Sequence, residues 1–276
     1  MKKDSPIGIF DSGVGGLTVV KEIINLLPRE DIIYLGDTAR VPYGIRSAET
    51  VTRYAIENTE FLLSKNIKAL VVACNTVSAV GLDELRKRIE IPVIGVLEPG
   101  ARAAVRTTRN GVVGVIGTEA TISSSSYKRT IQELAPQITV YGKACPLFVP
   151  LVEEGWTEGE IVQSIVDKYM EEMRRLNIDT LVLGCTHYPL LRKAIQRSLG
   201  ERVSLIDSAV ETASTLRTLL LEEGLAREYN ILPGRLFYVT DAPERFKRIG
   251  RKFIGDILKE VEKVSVPLKD SVVLDT

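Results

Sequence analysis

The sequence has few cysteines, a single histidine and no excess of charge of either sign. Its three cysteines stand far apart, at positions 74, 145 and 185, and an odd number of distant cysteines does not make a disulfide framework. The 36 basic residues balance the 36 acidic ones, so a strong electrostatic attraction to nucleic acid or to an anionic membrane is not expected. No cluster of cysteine and histidine has metal-ligand spacing and no lysine has a pyridoxal context. We therefore expect neither a metal nor a cofactor.

Long apolar segments are also absent. No apolar run is long enough to cross a bilayer, and the first residues lack the apolar stretch of a signal peptide. Together with unpaired thiols, these absences favour a cytoplasmic protein. With 276 residues, of which 45% are hydrophobic, the chain can form one large α/β domain or two smaller ones.

Short β-rich runs alternate with longer helical patterns, which predicts parallel sheets with crossover helices. Several strands, such as 70–73, are apolar at every residue, as expected for a parallel strand that is covered on both faces. Strands are predicted at 7–10, 32–35, 70–73, 93–96, 114–116, 138–141, 181–184, 203–206 and 236–240. Helices are predicted near 15–27, 48–65, 77–88, 120–134, 158–176, 190–199, 209–223 and 242–258.

The order of elements in the first part of the chain recurs in the second. Matching positions are Ser12 and Thr118 (118 − 12 = 106), Gly36 and Gly142 (142 − 36 = 106), and Cys74 and Cys185 (185 − 74 = 111). This pattern predicts two similar doubly wound α/β domains with parallel sheets, related by a pseudo-twofold duplication. The first domain is expected to be discontinuous, with residues 1–98 plus 209–276, and the second to comprise residues 99–208.

Two of the cysteines occupy matching places in the duplicated unit. Cys74 and Cys185 each follow a buried strand and precede a helical pattern, at the carboxyl edge where an open parallel sheet binds ligands. A helix N-terminus favours a thiolate. Because the ordinary pKa of a thiol is ~8.5, a modest lowering of that pKa lets it act as a base near neutral pH. The alternative is a small buried hydrophobe, a common fate of free cysteine. Cys145, which precedes Pro146 without a polar neighbour, is expected to be structural.

Polar residues accompany both thiols. Asp11 ends the first strand, which should lie beside the strand that leads to Cys74, and His187 follows Cys185 by two residues. Either side chain could relay protons and tune the pKa of a thiol. The alternatives are a helix cap for Asp11 and a packing role for His187. Glu153 is a further candidate acid, unless it is a helix cap or a surface residue.

The turn at 11–16 is rich in glycine and joins a strand to a helix, so its backbone amides could hold an anion. It lacks the spacing of a dinucleotide-binding turn or a P-loop, which favours a carboxylate over a nucleotide. Thr118 and Thr121, in the matching turn, could hold an anion from the opposite side or simply cap a helix. The tight turn at 42–44 lies at the same edge of the sheet.

Together these motifs resemble the glutamate racemase family. The resemblance covers nearly the whole chain and is most specific at 10–17, at 36–40 with 42–44, at 73–76 and at 184–189. It implies two α/β domains with the active site in the cleft between them, and no cofactor. It also implies that Cys74 and Cys185 are paired bases on opposite faces of the substrate α-carbon. Asp11 and His187 would be their respective proton helpers, with Glu153 a further acid on the His187 side.

The resemblance implies four substrate-binding pairs, namely Asp11-Ser12, Tyr43-Gly44, Asn75-Thr76 and Thr186-His187. The turns described above add Pro42, Thr118 and Thr121 as candidates. The expected donors to the negative charge that develops on loss of an α-proton are Ser12, Asn75, Thr76 and Thr118. In the implied mechanism one thiolate removes the α-proton while the opposing thiol delivers one. Cys74 would serve the D-isomer and Cys185 the L-isomer.

The family also implies that the product D-glutamate supplies peptidoglycan synthesis, and hence cell-wall biogenesis and cell shape, and that the protein is a homodimer. Neither nucleic acid nor a membrane is an expected partner. Three alternatives stay open: a racemase of the same fold for aspartate or a hydantoin, a non-catalytic amino-acid-binding module, and a thiol-redox enzyme. The turns at 11–16 and 42–44 favour glutamate. A binding module would need no thiols, and a redox enzyme would join Cys74 to Cys185 in a disulfide.

Overall fold

The computed structural model describes residues 3–228 and 232–266. The remaining residues, which the sequence assigns to the first domain, lie outside the described part. The strands are β1 Ile7–Asp11, β2 Ile32–Gly36, β3 Ala69–Val72, β4 Val93–Gly95, β5 Val112–Gly117, β6 Thr139–Ala144, β7 Thr180–Gly184, β8 Ser204–Asp207, β9 Arg235–Val239 and β10 Glu262–Lys263. The α-helices are α1 Leu17–Leu26, α2 Ala48–Leu63, α3 Asn75–Val80, α4 Leu82–Arg88, α5 Leu97–Thr107, α6 Glu119–Ser123, α7 Ser126–Leu134, α8 Phe148–Glu153, α9 Glu160–Arg175, α10 Arg192–Leu199, α11 Ser208–Glu222 and α12 Pro243–Ile254. Short 3-10 helices cover Tyr43–Ile45, Tyr188–Leu191 and Gly255–Ile257.

The strands form two parallel sheets, with the orders β10-β9-β2-β1-β3-β4 and β6-β5-β7-β8. Strands β1, β3 and β7 are buried along their whole length, because helices cover both faces of each sheet. The predicted fold class, with two doubly wound parallel sheets, is confirmed.

The duplication is visible in the pairing of the strands. In the first sheet Phe10 pairs with Val72, and in the second sheet Ile116 pairs with Leu183. The two expected offsets are thus present together (116 − 10 = 106 and 183 − 72 = 111). Both thiols therefore follow strands that occupy the same place in their sheets.

One part of the predicted alignment is wrong. Gly36 pairs with Asp11 in the first sheet, but Gly117, the counterpart of Asp11, pairs with Ala144 rather than with Gly142. The offset in this strand is therefore 108 (144 − 36 = 108). The offset is larger by two because the connection from β5 to β6 is two residues longer than the connection from β1 to β2.

Two helices were not predicted, and two predicted helices are divided. Helices α5 and α8 contain Pro99 and Pro150, which discourage a helical prediction, yet each proline lies in a first turn where its missing N–H costs no hydrogen bond. The predicted helix 77–88 is interrupted at Gly81. The predicted helix 120–134 is interrupted at Ser125, where φ is 56°.

The chain returns to the first sheet after the second is complete. Strand β9 pairs with β2, and β10 pairs with β9. Helices α11 and α12 both pack against α1. One continuous hydrophobic core contains Ile9 of the first sheet, Leu183 of the second sheet and Leu216 of α11. The two sheets are thus held against each other. Among the described helices, none has the length and apolar character that a bilayer crossing requires.

Candidate active site

The turns that follow β1 and β3 lie directly against the turns that follow β5 and β7. The hydroxyl oxygen of Thr76 lies 3.1 Å from that of Thr118 and 3.3 Å from that of Thr121. The hydroxyl of Thr18 donates to the backbone carbonyl of Thr186 at 3.1 Å. The carboxyl edges of the two sheets therefore face each other across a closed cleft.

Cys74 lies on one side of this cleft, at the N-cap position of α3. Its thiol donates a weak hydrogen bond to the Ser12 hydroxyl, with a sulfur-to-oxygen distance of 3.9 Å. Burial raises the pKa of Cys74 to about 12, and the negative charge of Asp11 adds to the effect, while a backbone amide from Val77 opposes it. The Cys74 sulfur is consequently protonated at neutral pH and has a proton to deliver.

Asp11 lies beside Cys74 and is fully buried. Its Oδ2 atom accepts the backbone N–H of Gly16 at 2.7 Å and that of Gly13 at 3.4 Å, so the carboxylate closes the glycine-rich turn. Its Oδ1 atom is buried and has no hydrogen-bond partner within the described residues. Burial raises the pKa of Asp11, whereas the positive charge of His187 and the amides of the turn lower it. Asp11 is not the N-cap of α1, which is Gly16 without a side-chain cap; it holds the turn through Oδ2 and leaves Oδ1 free of protein partners among the described residues.

Cys185 lies on the other side of the cleft with His187 and Glu153. The Nδ1 atom of His187 is 3.8 Å from the Cys185 sulfur, and its Nε2 atom is 3.3 Å from Glu153 Oε1. The second contact lacks the alignment of a full hydrogen bond, and we treat it as an ion pair. Burial would lower the pKa of His187, but the interactions with Cys185 and Glu153 prevail and raise it to about 10. The contact with His187 lowers the pKa of Glu153. At neutral pH the pair is an imidazolium and a carboxylate.

The two thiol centres lie close enough to influence each other. A negative charge on Cys185 is one of the causes of the raised pKa of Cys74, and the charge of His187 acts on Asp11. The surroundings nevertheless differ, because Cys74 lies beside the buried carboxyl group of Asp11, whereas Cys185 lies beside the imidazolium of His187. Cys145 is buried in the hydrophobic core.

The candidate carboxylate-binding groups form a second cluster in the cleft. The hydroxyls of Thr118 and Thr121 lie 3.0 Å apart, and Thr118 also accepts the backbone N–H of Thr121 as the N-cap of α6. Beside Thr76, Asn75 accepts a hydrogen bond from the Tyr127 hydroxyl at 2.6 Å. Its Nδ2 atom is buried without a partner in the described part of the chain. The cleft thus offers hydroxyls and an unused amide donor, as a carboxylate requires.

The turn at 42–44 borders a cavity of about 410 Å³, to which Pro42, Gly44, Thr118 and Glu153 contribute walls. Tyr43 does not present its phenol to this cavity, because its hydroxyl is bonded to Asp37 and Asn58. The turn therefore borders the cavity through Pro42 and Gly44 and not through Tyr43.

Two glycines allow the closure of the cleft. A β-carbon added to Gly15 would lie 2.3 Å from Thr186 Oγ1 and 2.5 Å from His187 Nδ1. At Gly44 it would lie 2.6 Å from Thr118 Cβ. These distances are far below van der Waals contact, so a side chain at either position would require the neighbouring residues across the cleft to shift.

Comparisons with known proteins show what the whole chain is similar to. A family model described as Asp/Glu/Hydantoin racemase matches residues 7–216. A glutamate racemase of Geobacter metallireducens is 54% identical over 260 residues, which are 94% of this chain and 96% of that protein.

The chain belongs to the glutamate racemase family.

Solved structures of glutamate racemases agree with the membership. The enzyme from Francisella tularensis, crystallised in complex with D-glutamate, is 40% identical, with a TM-score of 0.90 over 96% of this chain and 98% of that one. An isoform from Bacillus anthracis is 44% identical, with a TM-score of 0.92 over 97% of this chain and 100% of that one. The family predicted from the motifs is confirmed.

Several contacts of the site in this glutamate racemase family member were not predicted from the sequence. Tyr127 reaches Asn75 across the cleft, and Arg245 of α12 lies 3.9 Å from Glu153 Oε2. Asp37 and Arg40 appear in the sequence only as parts of the motif at 36–40. In the structure Asp37 accepts hydrogen bonds from Arg40 and from the hydroxyl of Tyr43. For Arg245 and Tyr127 no local sequence signal exists, because their partners are far away along the chain.

Proposed function

We propose that this chain interconverts L-glutamate and D-glutamate without a cofactor, with Cys74 and Cys185 as the two bases. The observation that carries the proposal is the placement of two thiols after matching strands of the two sheets. The two are close enough that a charge on Cys185 affects the pKa of Cys74. Inversion of an α-carbon needs a base on one face and an acid on the other. A single residue serves both faces only if the substrate turns over, whereas a duplicated fold supplies the pair.

The protonation states of Cys74 and His187 are compatible with a two-base mechanism. With L-glutamate bound, the Cys185 thiolate removes the α-proton while His187, whose pKa is about 10, stays protonated beside it. The Cys74 thiol then delivers its proton to the opposite face and becomes a thiolate. In the reverse direction Cys74 removes the proton of D-glutamate and Cys185 returns one. A turnover leaves Cys74 as the thiolate and Cys185 as the thiol, which are the states that the reverse reaction needs. Before another turnover in the same direction, Cys74 regains a proton from solvent by way of Asp11, and Cys185 releases one to solvent on the side of His187 and Glu153.

Removal of a weakly acidic α-proton requires that charge on the substrate carboxylate be stabilised in a dry cleft. We assign this task to the amide of Asn75 and to the hydroxyls of Thr76, Thr118 and Thr121. Ser12, Thr186 and His187 complete the walls near the reacting carbon. The side-chain carboxylate is assigned to the turn at 42–44, of which Pro42 and Gly44 border the 410 Å³ cavity.

We further propose that residues 1–98 with 209–276 form one domain and 99–208 the other, in keeping with the membership of the strands in the two sheets. The chain acts as a cytoplasmic homodimer, and its D-glutamate feeds peptidoglycan synthesis. Reduced thiols support the location, since the catalytic pair cannot work as a disulfide. Sedimentation of the purified protein tests the oligomeric state, and a monomer mass would refute the dimer.

The activity is tested by following D-glutamate formation from L-glutamate with the purified protein, without added pyridoxal phosphate and with reductant present. Equal amounts of both isomers are expected at equilibrium from either starting isomer. Turnover of aspartate or of a hydantoin, without turnover of glutamate, would assign the chain to another substrate of the same family. Binding of glutamate without any turnover would favour the non-catalytic module.

A further inference from the structure

Tyr127 of α7 makes a hydrogen bond that crosses the cleft. Its side chain is buried, and its hydroxyl donates to Oδ1 of Asn75 at 2.6 Å. Tyr127 belongs to the half of the molecule built on the second sheet, whereas Asn75 begins α3, directly after Cys74. The bond therefore exists only when the two halves are closed on each other.

The ring of Tyr127 also touches the opposite thiol strand. A β-carbon added to Gly184, the residue before Cys185, would lie 3.2 Å from Tyr127 Cε2. A β-carbon added to Gly100 would lie 3.4 Å from the Tyr127 hydroxyl oxygen. The phenol thus fills a slot that these two glycines leave open, and one side chain contacts the residue next to each thiol.

The hydrogen bond from Tyr127 uses only one of the two polar atoms of the Asn75 amide. Its oxygen is used by Tyr127, while its nitrogen is buried and has no partner in the described residues. A buried donor without an acceptor is costly, and such groups in native proteins call for a ligand or another explanation. The nitrogen lies at the N-terminal end of α3 beside Cys74, where a substrate carboxylate would supply the missing acceptor.

We propose that Tyr127 is a positioning residue for the racemisation: its hydroxyl holds the Asn75 amide so that the amide nitrogen donates to the substrate carboxylate beside Cys74. The inference rests on the proposed function. Because the bond spans the cleft, the donor reaches its working orientation only on closure. Tyr127 does not itself move a proton. Burial raises its pKa well above the ordinary value of a phenol.

The test is a double-mutant cycle between Tyr127→Phe and Asn75→Ala, with kcat and KM measured for both isomers. Tyr127→Phe removes one oxygen atom and keeps the ring between the glycines. We expect kcat/KM to fall about 10- to 100-fold, less than the loss from removing a direct oxyanion donor. Most of this loss should lie in kcat, since the donor acts most strongly on the charge that develops in the transition state.

In the Asn75→Ala background, Tyr127→Phe should cost almost nothing further, because the group that it positions is gone. The matched control is Tyr188→Phe, another buried phenol of the same half, whose hydroxyl donates to the backbone carbonyls of Gly117 and Cys145. Any effect of Tyr188→Phe should be the same with and without Asn75. Thermal unfolding of each variant separates kinetic losses from losses of stability.

Two results would overturn the inference. One is wild-type kinetics in Tyr127→Phe, and the other is a loss that persists undiminished in the Asn75→Ala background. Failure of the proposed function has a different signature, because the wild-type chain itself would then fail to racemise glutamate.

Discussion

The Nδ1 atom of His187 lies 3.8 Å from the sulfur of Cys185. This contact places the single histidine of the chain between a thiol and the carboxylate of Glu153. Because no other histidine titrates, the protonation state of this site can be followed directly in the intact protein.

We predict that His187 titrates near pH 10 rather than near the ordinary value of ~6.5, because Cys185 and Glu153 raise its pKa against the opposing effect of burial. Replacement Glu153→Gln should lower the midpoint, since it removes one negative partner. The measurement is NMR of the protein labelled with ¹⁵N-histidine. Glu158→Gln, at an exposed glutamate paired with Lys193, is the control and should leave the midpoint unchanged. A wild-type midpoint near 6.5 would contradict the assigned ion pair.

The stability of the protein should depend on the same group. The pKa of His187 is raised in the folded chain to about 10, above its unfolded value near ~6.5, so folding binds its proton more tightly. Its contribution is fully present below pH ~6.5 and is lost as the pH rises towards 10. We expect the free-energy difference of unfolding between the wild type and His187→Asn to narrow over that range. Urea titrations at several pH values measure it, and a difference that stays constant would contradict the linkage.

Each of the two thiols proposed as bases should be separately required. We predict that Cys74→Ser and Cys185→Ser each lower racemisation by about 10²- to 10⁴-fold, the usual contribution of a positioned acid or base. In D₂O, Cys185→Ser should still exchange the α-hydrogen of D-glutamate, and Cys74→Ser that of L-glutamate, because one base remains in each. Cys145→Ala, in the hydrophobic core, is the control and should keep exchange in both isomers. Normal racemisation by either serine variant would end the two-base mechanism.

Closure of the cleft should depend on Gly15. We predict that Gly15→Ala lowers kcat/KM at least about tenfold, since the new methyl group collides with Thr186 and His187 and small displacements at a reacting centre are costly. It should also destabilise the fold by about 1–3 kcal/mol through overpacking. Gly234→Ala provides a comparison, because a β-carbon there has only an ordinary contact at 3.5 Å. Equal kinetics in the two variants would show that closure does not depend on Gly15.

The network beneath the turn at 42–44 should support both the fold and substrate binding. Asp37 is fully buried and accepts hydrogen bonds from Arg40, Tyr43 and Thr240. We predict that Asp37→Asn destabilises the protein by about 3 kcal/mol, as expected when one partner of a buried ion pair is removed, and that KM for glutamate rises as the turn loosens. Asp83→Asn, on an exposed carboxylate, is the control. Urea unfolding and steady-state kinetics give the two readouts. An unchanged KM would separate Asp37 from the binding site.

Local sequence was sufficient for the elements that carry the thiols. Strands β3 and β7 are apolar throughout because helices cover both of their faces, and this pattern is readable without a structure. Their ends placed Cys74 and Cys185 at the carboxyl edges of the sheets. The register of β6 was not readable, because a glycine match suggested an offset that a longer connection had changed by two residues.

What the sequence by itself determined was the fold class, the duplication, the family and the chemistry-bearing residue types, since periodicity and motifs are local properties of the chain. The tertiary structure alone decided which atoms meet in the cleft. The hydroxyl of Tyr127 reaches Asn75 over a separation of 52 residues, and His187 meets Glu153 through the packing of α8. The tertiary structure also decided that the hydroxyl of Tyr43 bonds to the buried Asp37. Such contacts depend on how two separately patterned halves pack together, and no local pattern records the relative placement of the halves.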